Sequence, residues 1–218
     1  MSIGNRNVGV DVNALNSGSS LGTTGRTAVG YNALYINELG DYNTAVGYGA
    51  LQSIFVGGSN TAIGSLTDVT DSVNIDNSTA VGYQALITSS NQVRVGNSSV
   101  TSIGGYASWS KISDGRVKKN IKSNVPGLEF INKLQPITYN LDLDAADKIV
   151  QRPIIKDKDG KIAQLTSKEK EDRNINQQIL YTGFVAQDVE EAAKSINYNF
   201  SGVDAPKNDK DLYAIEIF

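Results

Sequence analysis

Ser113 and Lys118 stand five residues apart in "SDGRVKKNI", Ser113 to Ile121, and their types can do one kind of chemistry together. A lysine amine without its proton can take the proton of a serine hydroxyl, and the oxygen then attacks a carbonyl. Such an amine must be neutral, which calls for burial or neighbouring cations, and Lys119 and Arg116 stand close by to crowd it. The more familiar bases are missing, because the 218 residues include no histidine and no cysteine. That excludes Ser-His and Cys-His pairs, thiolate chemistry, disulfides and the common zinc sites. A nucleophile is left as Ser, Thr, Lys or a carboxylate, with Lys, Asp, Glu or Tyr as its base. On spacing alone the plainer reading, a patch of solvated surface charge, prevails.

The elements that must position these residues lie on either side of a change in composition. Met1 to Ile112 holds 4 Lys+Arg, 6 Asp+Glu and 16 Gly, whereas Ser113 onward holds 16, 17 and 5, and all four prolines. The net charge of -3 sets up no field that would draw the chain to nucleic acid or an anionic membrane. No apolar run approaches the twenty or so residues of a membrane span, and no basic-then-apolar leader follows Met1, so neither membrane insertion nor a secretory signal is expected. The missing cysteines fit a reducing cytosol.

The first part repeats. "TAVGYNAL" (Thr27 to Leu34), "TAVGYGAL" (Thr44 to Leu51), "TAIGSLTD" (Thr61 to Asp68) and "TAVGYQAL" (Thr79 to Leu86) recur with their threonines 17, 17 and 18 residues apart, after a looser "GVDVNAL". Within each, Thr, Val and Tyr alternate with Ala and Gly, the period of a short strand. A unit of this length cannot cover an apolar face alone, so consecutive coils must stack as a β-roll or solenoid. The glycine and alanine columns allow close backbone approach, between coils or at a threefold axis. The third unit, with "SLTD" in place of "YNAL", predicts an irregular coil. The Thr27, Thr44, Thr61 and Thr79 column reads as β-forming, hydrogen-bonding filler before an ice-binding or ligand-binding face, and Tyr31, Tyr48 and Tyr83 as packing before a carbohydrate platform.

Beyond the border the chain reads as a mixed α+β domain. "VPGLEFINKL" places Leu128, Ile131 and Leu134 at helical spacing, "PITYNLDL" alternates as a strand, Lys168 to Leu180 reads as a helix, and "YTGFVAQDVEEAAKSI" as a strand running into an amphipathic helix. Asp157 to Gly160 mimics the start of a calcium loop, but Lys168 stands where the closing Glu belongs. It reads as a turn, and neither a metal nor a cofactor is implied.

Two resemblances refine this. From about Asn5 to Gly96 the repeats resemble those in the heads of trimeric autotransporter adhesins and in phage tail-fibre proteins, which implies a trimeric β-roll. From about Ser108 to Tyr213, "SDGRVKKNI", "VPGLEFINKLQPITYNL" and "TGFVAQDVEEA" resemble, in order, the intramolecular chaperone auto-processing domain of endosialidase-type tail spikes and tail fibres. Its Ser-Asp-x-Arg-x-Lys hallmark is matched by Ser113, Asp114, Arg116 and Lys118. The likeness implies a domain that helps three chains assemble and then cuts between Ile112 and Ser113, with Ser113 as nucleophile, Lys118 as base or proton shuttle, and Asp114 and Arg116 as supporting residues. It further implies a homotrimer in a virion tail fibre or extracellular appendage, in company with other tail or fibre proteins and a host-surface glycan or protein. The expected architecture is therefore a mainly β roll over residues 1–107 followed by an α+β chaperone domain over 108–218. Because the repeats begin almost at Met1, a longer fibre is expected upstream. The alternative is a fibre of a bacterial surface or contractile injection system that does not cleave, with the C-terminal domain as a trimerising cap.

Overall fold

The computed structural model describes residues 6–16, 23–70, 74–106, 110–152 and 165–215. The chain forms two compact units: Met1–Ser99, Asp142–Gln177 and Pro206–Leu212 make the first, and Val100–Leu141, Gln178–Ala205 and Tyr213–Phe218 make the second.

The first unit is built on a parallel solenoid. Strands β1 (Val8–Val10), β2 (Thr27–Val29), β3 (Thr44–Val46), β4 (Thr61–Ile63), β6 (Thr79–Val81) and β8 (Val93–Val95) form one six-stranded sheet in that order, while β5 (Asp68–Val69) pairs with β7 (Leu86–Ile87) in a second. Register is column on column: Thr44 lies between Thr27 and Thr61, Ala45 between Ala28 and Ala62, and Val46 between Val29 and Ile63. The period of two sorts the three strand residues, with the alanine fully buried, the threonine half-buried, and the Val or Ile facing outward. Ala33, Leu34, Ala50, Leu51, Ile54, Val69 and Ile87 complete a narrow core in which small side chains alternate with branched ones.

Two devices stitch coil to coil. Gly47 has φ +137°, and a Cβ on it would lie 2.3 Å from the Gly64 carbonyl oxygen, so only glycine lets adjacent coils come this close. The residue before each strand adds a buried ladder. The Asn60 backbone N–H donates to Asn43 Oδ1 at 2.9 Å and the Ser78 N–H to Asn60 Oδ1 at 3.0 Å, while the Asn43 and Asn60 amides donate to the Gly57 and Ile75 carbonyls at 2.8 and 2.6 Å. Each asparagine thus satisfies groups that a buried turn would otherwise leave orphaned. At Arg26 the column changes: a buried guanidinium donates to the Asn37 carbonyl instead.

The third coil keeps its strand and its register, and departs only after Gly64. Asp68 stands where the earlier coils have Leu34 and Leu51, and the chain there extends into β5. Its carboxylate is buried: Oδ1 accepts from the Ser53 N–H at 3.2 Å, and Oδ2 has no hydrogen-bond partner among the described residues. Desolvation pushes its pKa up to about 6, against the lowering effect of Ser53 and the Val69 N–H.

Later stretches join the same unit. The Leu143–Ile149 helix is capped by Asp142, and Thr166 and Glu169 form a reciprocal capping box at the Ser167–Gln178 helix. Arg173 on that helix is buried, paired with Asp144 at 2.7 Å and Asp147 at 2.9 Å, and its guanidinium also donates to Ser98 Oγ at 2.6 Å. Residues 206–212 return to the last coil, where Asp211 accepts from Thr88, Gln92 and Arg94.

In the second unit, Ile137–Tyr139 pairs antiparallel with Tyr181–Gly183, and Val203–Asp204 with Ala214–Ile215. The predicted strand-to-helix passage is Tyr181–Gly183 followed by the Ala186–Lys194 helix, whereas the helix expected around Leu128 is a single turn, Leu128–Ile131. Phe130, Val189 and Ala193 form a small core, with Tyr198 edge-on to Phe130 and Phe200 tilted against it at centroid distances of 5.2 and 4.9 Å. The expected mainly β repeat region followed by a smaller helical and sheet region is the architecture observed. The stretch read as a calcium-loop mimic, Asp157 to Gly160, lies outside the described residues. Among the described residues, no helix is long and apolar enough to cross a membrane.

Candidate active site

The border segment folds by local chemistry. Asp114 caps a 3-10 turn over Gly115–Val117, its Oδ1 accepting the Arg116 backbone N–H at 2.8 Å. The Arg116 side chain closes back on the same carboxylate, Nε donating to Oδ1 at 3.1 Å and Oδ2 at 2.9 Å and Nη2 to Oδ2 at 2.6 Å, so one aspartate is held by both the backbone and a guanidinium fork. The Arg116 side chain, and then its backbone N–H, hold the Asp114 carboxyl below the usual carboxylate range, and Asp114 in turn raises the guanidinium.

The turn has a geometric consequence. The Val117 and Lys118 N–H groups donate to the Asp114 and Gly115 carbonyls, each at 3.2 Å, which reverses the chain and carries Lys118 back to Ser113. Lys118 Nζ donates to Ser113 Oγ at 2.8 Å. The five-residue spacing is therefore what one tight turn needs to bring the ends of the motif into contact. All four motif residues lie on this one turn, in the pairs Ser113 with Lys118 and Asp114 with Arg116.

Residues 110–125 are all exposed in one copy of the chain, with Ile112 at 86%. Ser113 and Lys118 are within hydrogen-bonding distance but stand in water. Residues 113–197 match the chaperone-of-endosialidase family. The matched stretch begins at Ser113 and takes in the turn, the Leu128–Ile131 and Leu143–Ile149 helices, and everything through the Ala186–Lys194 helix. No curated protein and no solved structure matches the chain.

Sequence reasoning did not find the second polar cluster, around Asp211, which draws Thr88, Gln92 and Arg94 to a residue more than a hundred positions away. No local motif signals it. The asparagine ladder was discoverable, since Asn43 and Asn60 each immediately precede the repeat threonine.

Proposed function

We propose that this chain is the end piece of a phage tail fibre, in which the C-terminal part helps three copies assemble and then cuts the backbone between Ile112 and Ser113. The observation that carries the reading is the 2.8 Å contact of Lys118 Nζ with Ser113 Oγ at the start of the matched region. A neutral Lys118 amine takes the hydroxyl proton, Ser113 Oγ attacks the Ile112 carbonyl carbon, and the C–N bond breaks as that proton passes to the Ser113 nitrogen. Water then hydrolyses the ester, leaving an Ile112 carboxylate and a free Ser113 amine. Asp114 and Arg116 hold the turn in shape.

The assembly half of the reading draws on uncovered apolar surface. Val29, Val46, Ile63 and Val81 form an outward column left 37 to 46% exposed, beside the stacked rings of Tyr31 and Tyr48, and Ile112, Val117, Ile121, Val125, Leu128 and Ile131 are exposed as well. A soluble single copy rarely keeps patches of this kind uncovered. Further copies are the occupants proposed, and covering the segment from water would supply the desolvation the dyad needs. Other tail proteins and a host-surface glycan or protein are the remaining partners in this reading.

Mass spectrometry of freshly expressed chain tests it. Wild type splits into pieces of 112 and 106 residues, and Ser113→Ala stays whole. The non-cleaving cap is favoured by the exposure of both dyad members, and wild-type chain that forms trimers yet stays whole would establish it.

A further inference from the structure

The bond between Ile112 and Ser113 is not the only tie between its two sides. The first compact unit takes Met1–Ser99 from upstream of that bond, and Asp142–Gln177 and Pro206–Leu212 from downstream. We propose that residues 206–212 act as a non-covalent latch centred on Asp211, which keeps the C-terminal piece on the last repeat coil after the backbone is cut. The proposal rests on the self-cleavage reading and makes release a step separate from cutting.

The geometry is that of a built site. Asp211 is buried, and its Oδ1 accepts from Thr88 Oγ1 at 2.8 Å and Arg94 Nη2 at 3.1 Å. Gln92 Nε2 donates to both carboxylate oxygens at 3.3 and 3.2 Å, and Asn208 adds a bond from its amide to the Thr88 carbonyl at 2.9 Å. All of these partners lie within residues 88–94, at the end of the solenoid. A carboxylate so enclosed matches one cation and several neutral donors, and its loss takes the acceptor from the buried Gln92 amide and the counter-charge from the half-exposed Arg94. Arg173 and Asn176 give a second hold, on Ser98 Oγ and the Ser98 carbonyl.

The test uses the full chain carrying Ser113→Ala, with the recognition sequence of a site-specific protease inserted between Ile112 and Ser113 in the exposed stretch 110–125. After nicking, the two pieces are expected to elute together from a sizing column. Asp211→Ala should speed their separation about thirtyfold or more, and Asp211→Asn less. Arg94→Gln is a second variant in case Asp211→Ala fails to fold, and Lys194→Ala, in an exposed helical pair, should change nothing. Prompt separation of the nicked parent, or Asp211 and Arg94 variants that separate no faster than it, overturns the latch. Because an added protease makes the cut, the two ideas fail separately: wild-type chain that never splits sinks self-cleavage and leaves this result standing.

Discussion

The repeat coils and the border segment solve the same small problem in opposite settings. In both, a short polar side chain satisfies backbone groups at a turn: Asn60 at the start of a coil, Asp114 at the start of the Ser113–Lys118 turn. Asn60 is fully buried and clamped between coils, whereas Asp114 stands in a segment where every residue from 110 to 125 meets water. In the solenoid a residue's place is fixed several times over, by ladder, register and core. At the border a single turn sets the distance between the Ser113 hydroxyl and the Lys118 amine, and both stand exposed in one copy. Stability and prospective chemistry are therefore carried by different parts of the chain, and they should respond to mutation independently.

The largest expected effect is in the coils. Gly47→Ala drives a Cβ into the Gly64 carbonyl and forces alanine to a strongly positive φ, so a loss of about 4 kcal/mol or more is expected, seen as collapse of the cooperative thermal transition. A midpoint within a few degrees of wild type would show that the coils are looser than their register implies. Next, Asn60→Ala should cost about 2–3 kcal/mol by denaturant titration, because it strands the Ser78 N–H and the Ile75 carbonyl inside the unit.

Asp68 tests the coils from the other direction. Its folded pKa, about 6, lies above the ordinary 3.8, so the folded state favours the protonated form. Its charge therefore weighs against folding at neutral pH, and stability should rise as pH falls through about 6 toward 4. Asp68→Asn should gain about 1–2 kcal/mol at pH 8 and remove that slope. A wild-type profile that is flat between pH 7 and 5 would count against a buried, charged Asp68. The smallest effect is expected at the border, where Asp114→Ala should leave the unfolding midpoint unchanged while loosening the turn, a change visible as faster amide hydrogen exchange at Arg116 and Val117. A midpoint shift as large as that of Asn60→Ala would erase the contrast between the two regions.

Much of this architecture was legible beforehand. Thr-Ala-Val at a 17-residue period implied stacked strands, and the structure stacks them residue on residue. "SLTD" announced an irregular third coil, yet the strand itself survived, because Thr61-Ala-Ile63 still matches the columns above and below it and only the segment after Gly64 lost its leucine. The helix read at "GLEFINKL" shrank to one turn, since Gly127 begins it at φ 50° without a side-chain cap and Leu128 and Ile131 remain exposed. The Leu143–Ile149 helix went unread, since the stretch read as a strand, "PITYNLDL", ends at Leu143 where the helix begins, and its signal, Asp142 capping the Asp144 and Ala145 N–H groups, lies in residue chemistry and not in apolar period.

Sequence alone determined whatever depends on neighbours within one turn or one coil: the repeat period, the alternation of buried and outward residues, and the closeness that Ser-Asp-x-Arg-x-Lys permits. Tertiary structure alone decided what joins distant stretches: the enclosure of Asp211 by residues 117 to 123 positions away, and the burial of Arg173 against Ser98. The physical reason is that a short-range pattern repeats its cause along the chain, whereas a buried polar contact between remote segments exists only once the folded surfaces have met.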